Sequence, residues 1–292
     1  MAVFLWGGSN AGTKYVVKWW GSGWVGCTRM LFAGLCLLAI LKWTPWLGKL
    51  SPLTAAAKRD LWLRGGLSMA CYIFVFNWAL YFTSASHVAL YLGMSPVWTL
   101  LWEERPAMTL RSAQRYGAAG LALAGVFVLF WPTLGKSRSS AIGEALGFTA
   151  SWLWANFGRQ SRFLGAKLSG AEVSAHTMWR AGVLLMPLAL LEIAKSGLII
   201  RADLMLVQGY CIIAGGVIAY VLWNNALRHW QTSRVFLFNN LVPLCTMAWA
   251  YVCLGEPVTH TFWMAMALVV AGVLLGQSRW QKLLGPRWVP LE

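Results

Sequence analysis

Long apolar runs, separated by short polar connections, occupy most of the chain. A helix of about 20 predominantly apolar residues spans a bilayer core of about 30 Å. Ten runs approach or exceed that length and carry few charges. The pattern therefore predicts an all-α polytopic membrane protein with ten transmembrane helices, at residues 2–18, 23–41, 62–82, 85–102, 115–132, 143–158, 174–194, 208–228, 233–253 and 261–277.

The sequence also repeats itself at an offset of 147 to 148 residues. Each copy holds five predicted spans, and a unit with an odd number of spans enters and leaves on opposite sides. We therefore predict two inverted five-helix repeats, residues 1–134 and 144–292 (the second with a short C-terminal tail), joined by a hinge loop at 135–143. Matching segments include Asn77-Trp78-Ala79-Leu80 with Asn224-Asn225-Ala226-Leu227, Pro96 with Pro243, and Ala124-Gly125-Val126 with Ala271-Gly272-Val273.

Composition agrees with a membrane location and changes how the charge is interpreted. The chain is 59% hydrophobic and 11% charged, with a mean hydropathy of +0.59, whereas soluble domains carry about 25% charged residues. A net charge of +15 would indicate a nucleic-acid partner for a soluble protein. Here 16 of the 24 Lys and Arg residues fall on one side of the predicted spans and 6 on the other.

This asymmetry places the basic side, and with it both termini, in the cytoplasm. The predicted location is therefore the cell inner (plasma) membrane, as a multi-pass protein. The expected partners are a small-molecule substrate and membrane lipids, which the basic surface attracts. No nucleic acid is expected, and a homodimer is left open.

Reactive side chains are not arranged for catalysis or metal binding. The six cysteines lie in or beside apolar runs without a C-x-x-C pair, and the four histidines fall on different predicted helices. A membrane enzyme would need clustered His, Asp or Glu, or a serine beside a base. We therefore predict no metal, no cofactor and no enzymatic activity, and keep a non-transporting structural or signalling membrane protein as the other class.

Short motifs in the chain resemble those of one transporter family. Trp6-Gly7-Gly8-Ser9-Asn10 is similar to the opening of an EamA repeat, and Ser95-Pro96-Val97 to its fourth helix. Leu254-Gly255-Glu256-Pro257, followed by Ala271-Gly272-Val273, is similar to its fifth helix. The chain thus resembles the EamA branch of the drug/metabolite transporter superfamily over nearly its whole length, with one departure, Met108-Thr109 in place of Gly-Glu.

That resemblance implies a carrier, often an exporter of amino acids or related metabolites, with a central cavity between helices 1, 3, 4 and 6, 8, 9 of the ten. Polar residues inside spans are costly and face a cavity or another helix, and aromatic rings stack on planar or apolar ligands. The candidate substrate-binding residues on those helices are Trp6, Asn10, Tyr72, Asn77, His87, Tyr91, Trp154, Asn156, Tyr220, Asn224, Asn239 and Asn240.

Some of these candidates have a structural alternative. Asn77 and Asn224 occupy matching positions, so hydrogen bonds to neighbouring helices explain them as well as a substrate does. His87 is either a proton-sensitive group or a hydrogen-bonded structural histidine, and the second is favoured. Lys14 lies toward the outer end of the first helix, where a lysine can extend to the surface.

Other charged residues raise two further expectations. Arg29 and Arg180 fall on helices 2 and 7, away from the expected cavity, which favours a structural partner or a lipid headgroup for each. The fourth helix ends in Trp102-Glu103-Glu104-Arg105-Pro106, and carboxylates there oppose the helix dipole. A gating cluster is an alternative to a plain surface ion pair. The expected counter-charge is Arg105, Arg111 or Arg115.

Two more features concern helix packing. Pro96 and Pro243 are expected to kink the fourth and ninth helices. Small residues recur in the fifth and tenth helices and allow close contact between helices, either within the chain or between chains. They include Gly117, Gly120, Gly125, Gly272 and Gly276.

The nine acidic residues lie away from the middle of the predicted spans. An organic cation in the cavity would therefore be unpaired, at a cost of several kcal/mol. A zwitterion brings its own counter-charge and finds amides in Asn10, Asn224 and Asn240. We predict a secondary transporter, an exporter of small neutral or zwitterionic metabolites such as amino acids, working by alternating access. The alternative is a multidrug or other metabolite permease.

Overall fold

The computed structural model describes residues 1–83, 85–103, 108–134, 141–254 and 260–277. Regular structure in this part of the chain is helical throughout, as the apolar pattern predicts. We number the helices in chain order: α1 Ala2–Val16, α2 Ser22–Trp43, α3 Ala55–Phe82, α4 Ala85–Leu92, α5 Ser95–Glu103, α6 Leu110–Leu134, α7 Ala141–Gly165, α8 Gly170–Ser196, α9 Ala202–His229, α10 Thr232–Leu237, α11 Val242–Leu254 and α12 His260–Gln277.

Within these ranges, six helices are long and apolar enough to cross a membrane: α2, α3, α8, α9, α12 and the Leu110–Trp131 part of α6. Their outward faces carry exposed large apolar side chains, such as Phe32 (53% exposed), Leu190 (57%) and Leu274 (64%). A wide exposed apolar surface is unusual in a soluble monomer, whereas lipid accommodates it. The chain is therefore a multi-pass membrane protein.

The other predicted spans correspond to shorter or more polar helices. α1 has 15 residues, fewer than the about 20 that a straight span needs. α7 has 25 residues but carries Glu144, Arg159 and Arg162 along its length. Length and hydropathy alone therefore identify fewer crossings in the described chain than the sequence pattern predicts.

Two predicted spans, 85–102 and 233–253, are interrupted, which corrects the prediction of continuous helices. The first is divided into α4 and α5, and the second into α10, a 3₁₀ turn at Phe238–Leu241, and α11. Pro96 and Pro243 are the second residues of α5 and α11. Proline is well tolerated in a first helical turn because its missing N–H would have no helical partner there. The prolines therefore mark new helix starts rather than kinks.

The break between α4 and α5 frees the carbonyl of Leu92, because Pro96, four residues later, has no N–H to donate. Ser95 Oγ (2.6 Å) and Asn239 Nδ2 (3.2 Å) donate to this carbonyl instead. Asn239 belongs to the 3₁₀ turn of the other interrupted span. The two interrupted segments are therefore hydrogen-bonded to one another.

Helices α2 and α8 cross at a pair of glycines. A Cβ atom on Gly34 would lie 2.3 Å from the backbone nitrogen of Trp179, and one on Gly182 would lie 2.6 Å from that of Leu31. Small residues allow helix backbones to approach so closely. The contacts are reciprocal, because Gly34 matches Gly182 and Leu31 matches Trp179 under the offset of the sequence repeat.

Helices α6 and α12 pack in the same reciprocal way. A Cβ on Gly125 would lie 2.9 Å from the carbonyl oxygen of Ala265, and one on Gly272 would lie 2.8 Å from that of Ala118. Gly125 matches Gly272, and Ala118 matches Ala265. Gly125 and Gly272 therefore pack within the chain, whereas Gly117 and Gly120 of α6 meet nothing within 4 Å.

Candidate functional site

A cavity of about 550 Å³ lies between segments from both halves of the chain. Its walls come from α1, α3, α4, α7, α9, the 3₁₀ turn and α11, with one residue each from α2 and α6. These segments include all six of the helices that the family resemblance implies for a central cavity. Among the candidate residues, those that line it are Trp6, Asn10, Tyr72, Trp154, Tyr220 and Asn239.

Four buried aromatic side chains form one wall of the cavity around Trp6. The Trp6 indole N–H donates to the carbonyl of Gly215 (2.9 Å), which lies in a π-helical segment of α9. The Trp6 ring meets Trp154 at 5.4 Å and Tyr220 at 5.1 Å between ring centres, edge-on in both cases. Tyr72 lies 4.8 Å from Trp154. Because these rings hold one another, they offer a preorganised surface to an apolar or planar group.

Three basic residues also line the cavity, and their exposure decreases inward. Lys18 is exposed, Lys14 is half-buried and Arg29 is buried. Lys14 Nζ donates to the carbonyls of Thr83 (3.1 Å) and Leu80 at the C-terminus of α3, where a cation also meets the favourable end of the helix dipole. Lys14 therefore caps α3 beside the cavity and does not simply extend to the surface.

Arg29 lines the cavity, which corrects the expectation that it lies away from it. Its Nη1 donates to Thr13 Oγ1 of α1 (2.9 Å), so the side chain reaches from α2 across the neighbouring helix. Arg180 does have the structural partners expected, since its guanidinium lies over the rings of Trp179 (4.4 Å) and Trp62 (5.4 Å). The sequence assigns whole helices to the cavity and carries no signal that separates these two arginines.

Across the residues that the structure describes, no Asp or Glu lines this cavity. Several of the acids act as helix caps. Glu192 accepts from the backbone N–H groups of Gly23 and Trp24 (3.0 Å each) at the start of α2, and Glu172 forms a capping box with Ser169 at the start of α8. The basic residues therefore determine the electrostatic character of the cavity.

Asn240 follows Asn239 in the chain but does not line the cavity. Asn240 is fully buried, and neither polar atom of its side chain has a hydrogen-bond partner among the described residues. A Cβ on Gly93 would lie 2.9 Å from its Oδ1. The structure thus places Asn240 against the break between α4 and α5, and not on the cavity wall where the sequence analysis put it.

Asn77 and Asn224 join helices and do not line the cavity. Asn77 Nδ2 donates to the carbonyl of Ser22 (2.8 Å), and Asn224 Nδ2 donates to Ser174 Oγ (2.8 Å). The first bond ties α3 to the start of α2, and the second ties α9 to α8. The structural alternative therefore applies to both, because a buried amide must find a partner wherever the chain places it.

His87 and Tyr91 lie between α4 and α7 and do not line the cavity. His87 Nδ1 is 2.6 Å from Glu144 Oε1, and Thr83 Oγ1 donates to the same oxygen (2.9 Å). The Tyr91 hydroxyl also hydrogen-bonds to Glu144, and its ring packs on Gly147. Linear spacing gives no sign that Glu144 is the partner of His87 and Tyr91, because this pairing joins the two repeats.

Asn156 lies in a second, separate groove of about 450 Å³ between α3 and α7. Its Nδ2 donates to Ser68 Oγ (3.2 Å), and Arg59, Arg64 and Gln160 lie nearby. The helix assignment of Asn156 was therefore consistent with the resemblance, but its side chain faces away from the central cavity. The resemblance indicates that α7 borders the cavity, but it does not indicate which face of α7 does so.

The carboxylate of Glu103 joins α5, α6 and α10. Arg115 Nη2 donates to Glu103 Oε2 (2.9 Å) and to Ser233 Oγ (2.6 Å), and the Ser233 backbone N–H donates to Glu103 Oε1 (3.3 Å). Of the three arginines proposed as counter-charge, Arg115 pairs with Glu103. Other features of the prediction lie outside the described residues, namely Glu104 to Pro106, 135–140 of the hinge, 255–257 of the fifth-helix motif, and 278–292 of the tail.

Comparison with known proteins agrees with this helical bundle and cavity. The EamA-like transporter family matches residues 1–131 and again residues 141–276. A protein of known crystal structure aligns with 97% of this chain and 96% of its own, with a TM-score of 0.77 and 17% identity, a likeness that concerns the fold alone. The family match, which covers both halves of the chain, identifies the class of the protein as a membrane transporter and not an enzyme.

Relatives with curated names point the same way. An "uncharacterized transporter" of Archaeoglobus fulgidus is 24% identical over 96% of both chains. A "probable amino-acid metabolite efflux pump" of Salmonella typhimurium is 26% identical over 56% of this chain and 58% of its own. Because the family matches nearly the whole chain, the protein belongs to the EamA-like transporter family.

Proposed function

We propose that this chain is a secondary transporter that exports small neutral or zwitterionic metabolites, such as amino acids, by alternating access. The observation that carries the proposal is the cavity of about 550 Å³, which is built by segments of both sequence repeats and lined by aromatic rings and amides. A cavity of this size suits a small ligand. The name of the Salmonella relative, an amino-acid metabolite efflux pump, supports this substrate class.

We further propose ten membrane crossings in two inverted halves. The proposal counts α4 with α5, and α10 with α11, as one interrupted crossing each. The reciprocal contacts support the inversion. Gly34 contacts Trp179, which is the equivalent of Leu31 in the second repeat, and Leu31 contacts Gly182, which is the equivalent of Gly34. Two copies with such contacts run antiparallel, because a step forward along one helix is a step backward along the other. An axis in the membrane plane relates halves of this kind.

Alternating access has a structural basis in the interrupted segments and in the contact of Glu103, Arg115 and Ser233. In the proposed topology, with both termini in the cytoplasm of the inner membrane, this contact lies at the cytoplasmic end and Lys18 lies at the outer end. The cavity is then closed inside, while Lys18 marks its outer mouth. Opening inward would require α5 and α10 to separate at Glu103.

A flux assay tests the proposed function. Purified protein in liposomes should exchange labelled amino acids saturably, and a labelled quaternary ammonium dye should not enter by the same route. Trp154→Ala, in the cavity, should abolish exchange, while Trp131→Ala, which is 65% exposed, should leave it unchanged. Saturable transport of the dye with no transport of amino acids would favour the multidrug alternative, and flux of neither would contradict the proposal.

A further inference from the structure

Arg29 is a buried cation in the cavity wall whose guanidinium is not fully used by the protein. It is 6% exposed, and its Nε has no hydrogen-bond partner within the described chain. Its Nη1 donates to a neutral hydroxyl, Thr13 Oγ1, and the ion pairs among the described residues do not include Arg29. A charged group at membrane depth that lacks a protein counter-ion marks a functional site by default.

We propose that Arg29 is the carboxylate-binding residue of the cavity, and that the cavity, besides accepting amino acids, binds organic anions with an aromatic or apolar body more tightly than the corresponding amino acids. The inference rests on the proposed function in one respect, that this cavity is the transport site. A guanidinium offers a planar fork of N–H donors that matches a carboxylate and remains charged at all relevant pH values. The free Nε of Arg29 supplies one side of such a fork.

The neighbouring lysines support an anionic ligand. Lys14 lies in the last turn of α1 and Lys18 in the turn that follows the helix, and both line the cavity. Together with Arg29 they form a row of positive charge from the exposed mouth to the buried wall. Such a row attracts anions inward and repels cations. Lys14 already donates to two carbonyls of α3, which leaves Arg29 as the principal donor for a ligand.

The aromatic wall accounts for the rest of the ligand. Tyr72, Tyr220 and Arg29 all line the cavity, so the guanidinium and the rings border one space. A carboxylate bound at Arg29 can therefore place an attached ring or alkyl body against Trp6, Tyr72 and Tyr220. Aromatic surfaces of this kind favour planar and apolar groups.

An ammonium group on the same ligand would gain little. The described cavity wall has three cations and no acid, so an ammonium finds neutral partners alone, such as Asn10, Asn239, Thr246 and the faces of the rings. Repulsion from the basic residues acts on it in a medium less polar than water. The anion that lacks the amine keeps the contact with Arg29 and avoids this repulsion.

Three probes with one phenyl body test the ranking: phenylpyruvate (anion), phenylalanine (zwitterion) and phenethylamine (cation). We would measure their dissociation constants for the purified full-length protein by isothermal titration calorimetry. Phenylpyruvate should bind roughly tenfold or more tightly than phenylalanine, and phenethylamine should not bind. Binding of phenylalanine as tight as or tighter than that of phenylpyruvate would overturn the proposal without any variant.

Substitutions then assign the effect to the arginine. Arg29→Met should raise the Kd of phenylpyruvate by about 30-fold or more, and Arg29→Lys should recover part of the affinity because it keeps the charge and loses the fork. Arg180→Met is the matched control, since Arg180 is 5% exposed and does not line the cavity; it should leave Kd unchanged.

A structural role for Arg29 predicts a different result. Removing a charge that has no acid partner should leave the melting temperature of the ligand-free protein unchanged or higher. A fall in melting temperature for Arg29→Met, with an unchanged Kd for phenylpyruvate, would assign Arg29 to structure and refute the proposal. If Arg29→Met does not fold, Arg29→Lys decides, because an unchanged Kd there contradicts the need for a fork.

The two proposals can fail separately. If amino acids cross the liposome membrane while phenylpyruvate neither binds nor competes with them, the inference about Arg29 is wrong and the proposed function stands. If phenylpyruvate binds and Arg29→Met weakens that binding, but no metabolite is transported, the inference about the ligand stands and the proposed function is wrong.

Discussion

Asn77 and Asn239 show how one side chain type serves two purposes in this chain. Asn77 is fully buried and donates to the Ser22 carbonyl between α3 and α2. Asn239 donates to the Leu92 carbonyl while also lining the cavity. The first contact concerns stability alone, whereas the second lies beside the space that a substrate occupies.

The two positions predict different effects of the same substitution to alanine. Asn77→Ala should lower stability by about 1–3 kcal/mol, because it removes a buried side-chain hydrogen bond between helices and leaves a small cavity, and it should leave the KM of transport unchanged. Asn239→Ala should raise KM. Melting temperature in detergent and concentration-dependent uptake in liposomes measure the two effects, and an equal change of KM in both variants would contradict this assignment.

At the level of single residues, the sequence located the aromatic wall better than the charges. Trp6 and Trp154 occupy matching positions of the repeat, and they meet at 5.4 Å in the cavity. The sequence placed Arg29 away from the cavity and gave no partner for Glu144, because each makes its contacts with another helix. The reach of a long side chain, and a partner in the other repeat, leave no periodic trace in the sequence.

At the level of helices, glycines decide how closely α6 and α12 approach. A Cβ on Gly125 would lie 2.7 Å from Val269 Cγ2, whereas a Cβ on Gly117 of the same helix would meet nothing within 4 Å. The two positions differ only in the face of α6 on which they lie. They therefore form a matched pair for testing packing against helix propensity.

Gly125→Ala should destabilise the protein by roughly 1–3 kcal/mol, because overpacking forces a close contact apart. Gly117→Ala should be neutral or stabilising by about 0.5–1 kcal/mol, because alanine costs less conformational entropy than glycine in a helix. Chemical denaturation of the two variants in the same detergent compares them. A loss of stability at Gly117 as large as at Gly125 would mean that the outer face of α6 is also packed.

The interrupted helices show where prediction at this scale ends. The prolines at 96 and 243 indicated the right helices, and the structure places a helix start at each. Hydropathy could not show the interruption, because a break between two apolar segments leaves the apolar run unchanged. The freed carbonyl of Leu92 accepts from Ser95 nearby and from Asn239 of the other half, and the second contact follows no linear pattern.

For the whole molecule, the contact among Glu103, Arg115 and Ser233 joins the two halves at one end. Glu103→Arg and Arg115→Glu should each reduce transport several-fold, because each puts like charges side by side. The double variant restores an opposite pair and should recover most of the activity, as coupled residues do in a double-mutant cycle. If the losses simply multiply in the double variant, the pair does not act as a unit in transport.

The proposed orientation can also be measured directly. A single cysteine placed at Ser139, in the 135–143 hinge, should react with an impermeant reagent added outside intact cells, because an odd number of spans separates the hinge from the cytoplasmic N-terminus. A cysteine at Glu292 should react only after permeabilisation. The reverse labelling pattern would contradict the topology.

The family and the helical, multi-pass character of the chain could be predicted at this scale because both depend on long, repeated patterns. The reciprocal crossing of α2 and α8 was equally present in the sequence as matching positions, Gly34 with Gly182 and Leu31 with Trp179. The sequence does not show which face of one helix contacts which face of another. That choice depends on side chains from several helices at once, and it decided which of the candidate asparagines line the cavity.

Asn239 and Leu92 occupy equivalent positions of the two repeats, and a hydrogen bond joins them. The next residues, Asn240 and Gly93, are also equivalent and lie in close contact. In the proposed arrangement of two inverted halves, equivalent positions that contact one another lie on the rotation axis that relates the halves. A carrier with identical halves would have inward-open and outward-open forms of equal free energy, related by exchange of the halves. Because one equivalent position is an asparagine and the other a leucine, the side chain of Asn239 donates to the Leu92 carbonyl and no matching bond runs the other way. In the proposed alternating-access cycle, the two forms would then no longer be degenerate, and the duplicated chain would have an intrinsic preference between them before any substrate or gradient acts on it.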